Sequence, residues 1–307
     1  MAKHIVVVGS LNLDLVASVP RNPEVGETIT GTDFKRFIGG KGANQAVAAS
    51  LLSGKVHMIG RHGTDGLETG LLATLREKGV GIDAITPAEG ASGVAVILVT
   101  EDGHNSIVVI PGSNGRFCAE DVFASRSLIE QAGIALTQLE TPLEALEATV
   151  DIAATTGVPV VLDPAPARTL PPKLLSRLDW FTPNETEAEF YCGERVPADE
   201  GIRGYAEKLL SLGPRNVLLK LGARGAYLVT ALGIREQVTA IPVQAVDSTA
   251  AGDALNGAFA AALMNGADPL EAVRFGVAAA SLSVTRAGAI PSLPTLAEVE
   301  EFRQKRG

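Results

Sequence analysis

The chain has 307 residues, and its 26 Lys and Arg stand against 35 Asp and Glu, for a formal net charge of -9 and a pI near 5.1. An acidic chain without a basic run suits neither nucleic acid nor an anionic membrane surface, so the expected partners are small molecules. Large α/β domains reach this length, so one core with an appendage and a pair of domains are both compatible with it.

Residues 1–4 lead into the apolar run Ile5-Val6-Val7-Val8. That run is too short for a signal segment or a spanning helix, which points to a soluble cytoplasmic protein. Cys118 and Cys192 form no CxxC pair and read as buried apolar residues. His4, His57, His62 and His104 lack ligand spacing such as HExxH, so no zinc site is expected.

Ile5–Val8 ends in Gly9-Ser10, as a buried parallel strand does before a loop at its carboxyl end. Leu13–Val19 and Thr28–Ile38 read as strands of a sheet solvated on one face, an excursion from the main sheet. Gly39-Gly40-Lys41-Gly42-Ala43-Asn44-Gln45 is a glycine loop entering an alanine-rich helix; it lacks the Ser or Thr after Lys41 that a Walker loop needs. A strand–helix rhythm follows, with strand Val56–Ile59, helix Gly66–Lys78 and strand Asp83–Thr86, which favours a parallel sheet covered by helices.

Gly93–Val99 and Asn105–Ile110, joined through Asp102-Gly103, form a hairpin. With the earlier excursion it predicts a small β lid from about 12–38 and 92–111 over the carboxyl edge of the main sheet. The rhythm resumes with helix Ala119–Ala132, strand Ile134–Leu139, helix Pro142–Thr156 and strand Val158–Leu162. Glu140 and Asp163 stand at strand carboxyl ends, where open α/β sheets bind ligands. After the proline-rich connection Pro164–Pro172 come strand Trp180–Thr182, a helix from Asn184, helix Ile202–Leu212, strands Asn216–Lys220 and Ala226–Val229, and helices to Asn265, over Pro269–Val284 and over Leu296–Gln304.

The stretch Val246–Gly257 contains Ala250-Ala251-Gly252-Asp253 at the mouth of an apolar helix. Small residues there leave the first helical amides open to an anion, and Asp253 stands where it can take a hydroxyl proton. An ordinary strand-to-helix turn with a first-turn acid accounts for the same residues equally well. In Pro183-Asn184-Glu185-Thr186-Glu187, capping explains Glu185, whereas Asn184 and Glu187 share a helical face suited to water around magnesium. Gly222 and Gly225 permit close approach to a nucleotide, though a tight turn is the commoner reason for such glycines.

Taken together, Gly39–Gln45, Thr182–Glu187 and Asp247–Gly257 resemble the ribokinase family of carbohydrate kinases, also named pfkB, across the whole chain and in the same order. The resemblance implies a single ribokinase-like catalytic domain over 1–307, a three-layer α/β/α sandwich with a mainly parallel central sheet and a small β-sheet lid. It implies ATP-dependent phosphorylation of a pentose at its 5-hydroxyl, giving ribose 5-phosphate and ADP.

On the matching positions, Asp253 is the base and the amides of Ala250, Ala251 and Gly252 form the anion hole. Asn12, Asp14, Gly40, Lys41, Asn44 and Glu140 hold the sugar. Asn184 and Glu187 organise Mg2+ and phosphates, Glu187 through water. Lys220, Gly222, Gly225, Gly252 and Val277 line the ATP site. Asp247, Thr249, Ser283, Arg286, Gly288 and Ser292 match the positions around a monovalent cation, K+. A homodimer in which lids clasp one another is a further implication.

This chain departs from the family pattern at Ser248, at Ala254-Leu255, at Lys220, where Thr is usual, and at Val277, where a polar residue often meets adenine. Other acceptors within the family, deoxyribose, fructose or adenosine, therefore stand as alternatives. So does a non-catalytic sensor, whose mark would be the loss of Asp253 or of the glycine turn, and both are present.

Overall fold

A computed structural model describes residues 3–102, 104–198 and 201–306. The strands are β1 (Ile5–Val8), β2 (Asn12–Val19), β3 (Asp33–Gly39), β4 (Val56–His62), β5 (Val80–Pro87), β6 (Gly93–Thr100), β7 (Asn105–Ile110), β8 (Ile134–Thr137), β9 (Val160–Leu162), β10 (Trp180–Phe181), β11 (Asn216–Lys220), β12 (Ala226–Thr230) and β13 (Arg235–Val238). The helices are α1 (Lys41–Ser53), α2 (Glu68–Glu77), α3 (Ala119–Ala124), α4 (Arg126–Glu130), α5 (Leu143–Thr156), α6 (Pro172–Leu175), α7 (Glu185–Cys192), α8 (Ile202–Ser211), α9 (Ala251–Met264), α10 (Pro269–Ser283) and α11 (Leu296–Arg306).

The large sheet runs β13-β12-β11-β10-β9-β8-β1-β4-β5, parallel from β11 to β5, with β12 and β13 antiparallel at one edge. Side chains alternate across a strand, so β1 sends Ile5 and Val7 into one core and Val6 and Val8 into the other. Helices α1, α9 and α10 close the first face, and α5 and α8 the second, which makes three layers. The chain leaves β1 toward β4 and β5, then returns to β8 on the other side. The carboxyl ends of β1 and β8 therefore flank a topological switch point, the place where such sheets open a crevice.

Alanine and glycine bring α1 and α9 close together. A Cβ at Gly257 would stand 2.5 Å from the Ala48 Cβ and 2.8 Å from the Ala49 nitrogen. This contact ties the residues after Gly40 to those after Ala250.

The second sheet has the order β3-β2-β6-β7, with β2 and β6 parallel and both outer pairs antiparallel. It matches the predicted excursion, and the hairpin closes with the Thr100 amide donating to the His104 carbonyl at 2.9 Å, although Gly103 of the predicted turn lies outside the described residues. Its outer strand is apolar yet open: Ile107, Val108 and Val109 are 53%, 63% and 49% exposed.

Several expectations are corrected. The strand predicted from Thr28 begins at Asp33, because Glu24–Thr32 carries Gly26 and Gly31 and meets β2 at Thr32, whose amide and hydroxyl both donate to the Ser18 carbonyl. The helix predicted over 119–132 is broken at Ser125, which serves as C-cap of α3 and N-cap of α4. Strands β8 and β9 are shorter than predicted, and α6 and β13 were not anticipated. Cys118 and Cys192 are half-buried rather than core residues, and Cys118 caps α3 through Asp121. Among the described residues, no helix is long and apolar enough to cross a membrane.

Candidate active site

Asp253 lies in the first turn of α9, 5% exposed. Its Oδ2 accepts from Nδ2 of Asn44 and its Oδ1 from Nε2 of Gln45, both at 3.0 Å. The same Gln45 nitrogen donates to Oδ2 of Asp163 at 2.8 Å, and Gln45 Oε1 accepts from Nε2 of Gln138 at 2.8 Å. An amide nitrogen carries two hydrogens, so Gln45 serves both carboxylates at once. Asp163 Oδ1 accepts from Nζ of Lys220 at 2.8 Å, and both of those side chains are buried.

The mouth of α9 is shaped by Ala250, which takes a left-handed conformation at φ 61, the only such non-glycine among the described residues. That conformation is costly for a residue with a Cβ. The first turn has no side-chain cap. The Ala251 amide donates to the Ser248 carbonyl at 3.2 Å, which leaves Gly252 and Asp253 as the orphan donors of the turn. A Cβ at Gly252 would stand 3.4 Å from Nζ of Lys220, so the ammonium faces this mouth.

The predicted sugar residues gather at the same place. Gly40, at φ 86, leaves 2.8 Å between an imagined Cβ and the Asn12 nitrogen, so no other residue fits the turn into α1. Glu140 Oε2 accepts from the Lys41 amide at 2.9 Å and from the Ser10 hydroxyl at 2.5 Å. Asn12 Oδ1 accepts from Nδ2 of Asn114 at 2.7 Å. Asn44 Oδ1 is buried without a hydrogen-bond partner beside Asp253, an acceptor left for a ligand hydroxyl.

Charge is concentrated here. Burial pushes the Asp14 carboxyl up to about 7, with Glu140 and Asp253 adding repulsion. Burial also raises Asp253; Lys41 opposes this, Asp163 reinforces it, and the Gln45 and Asn44 hydrogen bonds oppose it. For Lys41, burial works against the ammonium, but Asp253, Asp163, Glu140 and Glu187 outweigh it and hold the group above its ordinary value.

Around the residues predicted for the nucleotide, the helix-capping roles differ from those expected. Asn184 and Glu187 form a reciprocal capping box: the Glu187 amide donates to Asn184 Oδ1 at 2.9 Å, and the Asn184 amide and Nδ2 donate to Glu187 Oε2 and Oε1 at 2.8 and 2.9 Å. Capping thus explains this pair, whereas Glu185 turns away to pair with Arg224. Glu187 is still buried, and burial raises its carboxyl against the pull of Lys220.

Gly225, at φ 88, packs its α-carbon against β13, where a Cβ would meet the Val238 carbonyl at 2.0 Å. Val238 lines a cavity of about 650 Å³ together with Thr239, Ile241, Arg274 and Val277, so Val277 borders this space while Gly225 lies behind the strand that walls it. Gly222, at φ 53, begins that turn.

Asp247 Oδ1 accepts from the amide and hydroxyl of Thr249, and its Oδ2 from the Gly288 amide at 2.8 Å. The Val246 and Asp247 amides donate to the Val284 carbonyl. These bonds join the loop before α9 to the loop after α10. Ser283 and Ser292 donate to nearby carbonyls, and the Arg286 guanidinium leaves the loop to pair with Glu298 at 2.6 Å.

Gln45, Gln138, Asn114 and Asp163 were not among the predicted site residues. Asp163 carried a sequence signal in its place at a strand's carboxyl end, and Gln45 in closing the glycine-loop motif.

Comparison with known proteins agrees with this geometry. A profile of the pfkB family carbohydrate kinases matches residues 2–296. The ribokinase of Haemophilus influenzae is 42% identical over 303 residues, covering 98% of this chain and 99% of that protein. A deoxyribokinase of Salmonella typhi is 34% identical over 97% of this chain and 98% of its own. The structure of Arabidopsis thaliana ribokinase complexed with ribose and ATP superposes with a TM-score of 0.92 at 36% identity, over 98% of this chain and 99% of that one. With a family profile over nearly the whole chain and full-length likeness to ribokinases, this chain belongs to the pfkB family of carbohydrate kinases.

Proposed function

We propose that this chain, working in the cytoplasm, transfers the γ-phosphoryl group of ATP to O5 of D-ribose. The observation that carries this reading is Asp253, oriented through both oxygens beside the unpartnered Asn44 Oδ1 and at the orphan amides of α9. Asp253 takes the proton of the attacking hydroxyl, and burial favours that role by raising its affinity for a proton. The amides of Gly252 and Asp253 and the positive end of α9 stabilise charge on the transferring group. Asn12, Asp14, Gly40, Lys41, Asn44 and Glu140 bind the sugar hydroxyls, each of which both donates and accepts.

The residues present suit a magnesium ion. Among the described residues no group of three acids, His or Cys gathers to cage a metal, while Glu187 keeps lone pairs free beyond its two bonds from Asn184. One carboxylate with waters and donor phosphates is the usual way Mg2+ is held, and the ion would neutralise phosphate charge there. The Asp247–Thr249 and Ser283–Ser292 loops offer backbone and hydroxyl oxygens for K+, with Asp247 fixing the loop through its bonds to Thr249 and Gly288. Faster turnover in potassium than in sodium is expected, and equal rates after removal of contaminating potassium contradict it.

The small sheet closes over the sugar, and its exposed β7 face pairs with a second copy of the chain. Carbon-13 and phosphorus NMR of the product tests the transfer: phosphate on C5 of ribose is expected, and phosphate on another carbon overturns the pose. The likeness to a deoxyribokinase favours 2-deoxyribose as the second acceptor to try.

A further inference from the structure

Lys220 and Asp163 make the most deeply buried ion pair among the described residues, with side chains 9% and 2% exposed. Ion pairs this dry gain little net stability over apolar replacements. The position of this one is informative. Nζ of Lys220 faces the mouth of α9 at Gly252, and the far oxygen of Asp163 shares the Gln45 amide with Asp253.

We propose that Lys220 waits on Asp163 and passes to the phosphoryl donor when ATP enters, and that Gln45 links this exchange to Asp253, so that nucleotide arrival readies the base. The inference rests on the kinase reading above and deepens it.

A polyphosphate seated on the orphan amides of α9 lies within reach of the ammonium and carries more charge than the carboxylate it competes with. Once Lys220 has moved, Asp163 keeps only its bond from Gln45. Its uncompensated charge then stands one amide away from Asp253. A like charge at that distance strengthens Asp253 as a proton acceptor. The sugar hydroxyl thus meets a stronger base when a phosphoryl group is present to receive it. The other charges around Asp253 are Lys41 on α1, Asp14 on β2 and, further out, Glu140 and Glu187. They form a background that substitution at Lys220 or Asp163 leaves in place.

The test compares Lys220→Gln, Asp163→Asn and the paired variant with the parent protein. It uses whichever sugar the parent phosphorylates, so a wrong sugar assignment leaves it standing. KM for ATP and the pH dependence of kcat/KM for the sugar at saturating ATP are measured, with melting temperature as the check on folding. Lys220→Gln is expected to raise KM for ATP about tenfold or more, the effect of losing a charge-assisted bond. Asp163→Asn is expected to move the acid limb of the profile down by about one pH unit, as removal of a like charge does. The paired variant, which carries no unpaired buried charge and stays testable if Lys220→Gln fails to fold, is expected to show both changes together. A paired variant with the parent's KM and pH profile overturns the proposal and reduces the ion pair to packing. An unmoved acid limb in Asp163→Asn overturns it as well.

Discussion

The two sheets of this molecule are held in opposite ways. At the carboxyl edge of the large sheet, Asp253, Gln45, Asp163, Lys220 and Gln138 are buried and bonded to one another, so each side chain is positioned by its neighbours. In the small sheet, β7 is exposed along its whole length and turns Ile107, Val108 and Val109 outward. Chemistry needs groups fixed to a fraction of an ångström, which dense packing supplies; a cover or an interface needs surface, which sparse packing leaves. Substitutions in the first region should therefore act on turnover, and those in the second on association.

The largest effect is expected at Asp253, the proposed base. Asp253→Asn should lower kcat by about a hundredfold to ten-thousandfold, the range of a general base, with a far smaller change in ATP affinity measured by calorimetry. Gly257→Val probes the close contact of α1 with α9, where an added Cβ already meets Ala48 at 2.5 Å. A destabilisation of about 1–3 kcal/mol is expected from overpacking, together with reduced turnover because both site-bearing helices shift. Unchanged denaturant midpoint and kinetics would mean that the two helices separate without cost.

Asp14 supplies a pH test. Its folded carboxyl titrates near 7, above the ordinary 3.8, so its contribution to stability is complete below pH 3.8 and is lost as pH rises through 7. Asp14→Asn should therefore gain in melting temperature over the parent as pH rises from 4 to 8. The inflection near 7 in kcat/KM for the sugar should vanish in the variant, and a parent profile flat through that range would contradict the assignment. Within α7, Glu187→Gln should slow turnover while Glu185→Gln, whose residue pairs with Arg224 at the surface, should cost less than about 1 kcal/mol of stability and little rate. The smallest effect on activity is expected at Val108→Lys in β7. It should shift a dimer to monomer by sedimentation and leave melting nearly unchanged; a dimer that survives it does not use this face.

Much of the fold was legible because its signals are local. The Val-rich β1 ending in Gly9-Ser10, the glycine loop into α1 and the Ala250–Asp253 turn each announce themselves within about ten residues. The edge strand β13 was hidden because Arg235-Glu236-Gln237-Val238 shows no apolar alternation. The break at Ser125 was hidden because apolar residues continue on both sides of it. The site was legible in its loop residues and not in its supports. Gln45 meets Asp253 across 208 positions and Asp163 across 118, and no pattern in one stretch of chain reports a contact of that span. The same limit hid the partner of Lys220, whose unusual place at the end of β11 was visible while Asp163 opposite it was not paired with it.

The most direct test is ADP release by the purified protein with ATP, magnesium and potassium, compared across D-ribose, 2-deoxyribose, fructose and adenosine and without any acceptor. Release that depends on an acceptor, is fastest with D-ribose and is lost in Asp253→Asn is the predicted result. Release that is equal with and without sugar, or that persists in Asp253→Asn, would contradict the assignment of Asp253 as the base of a sugar kinase.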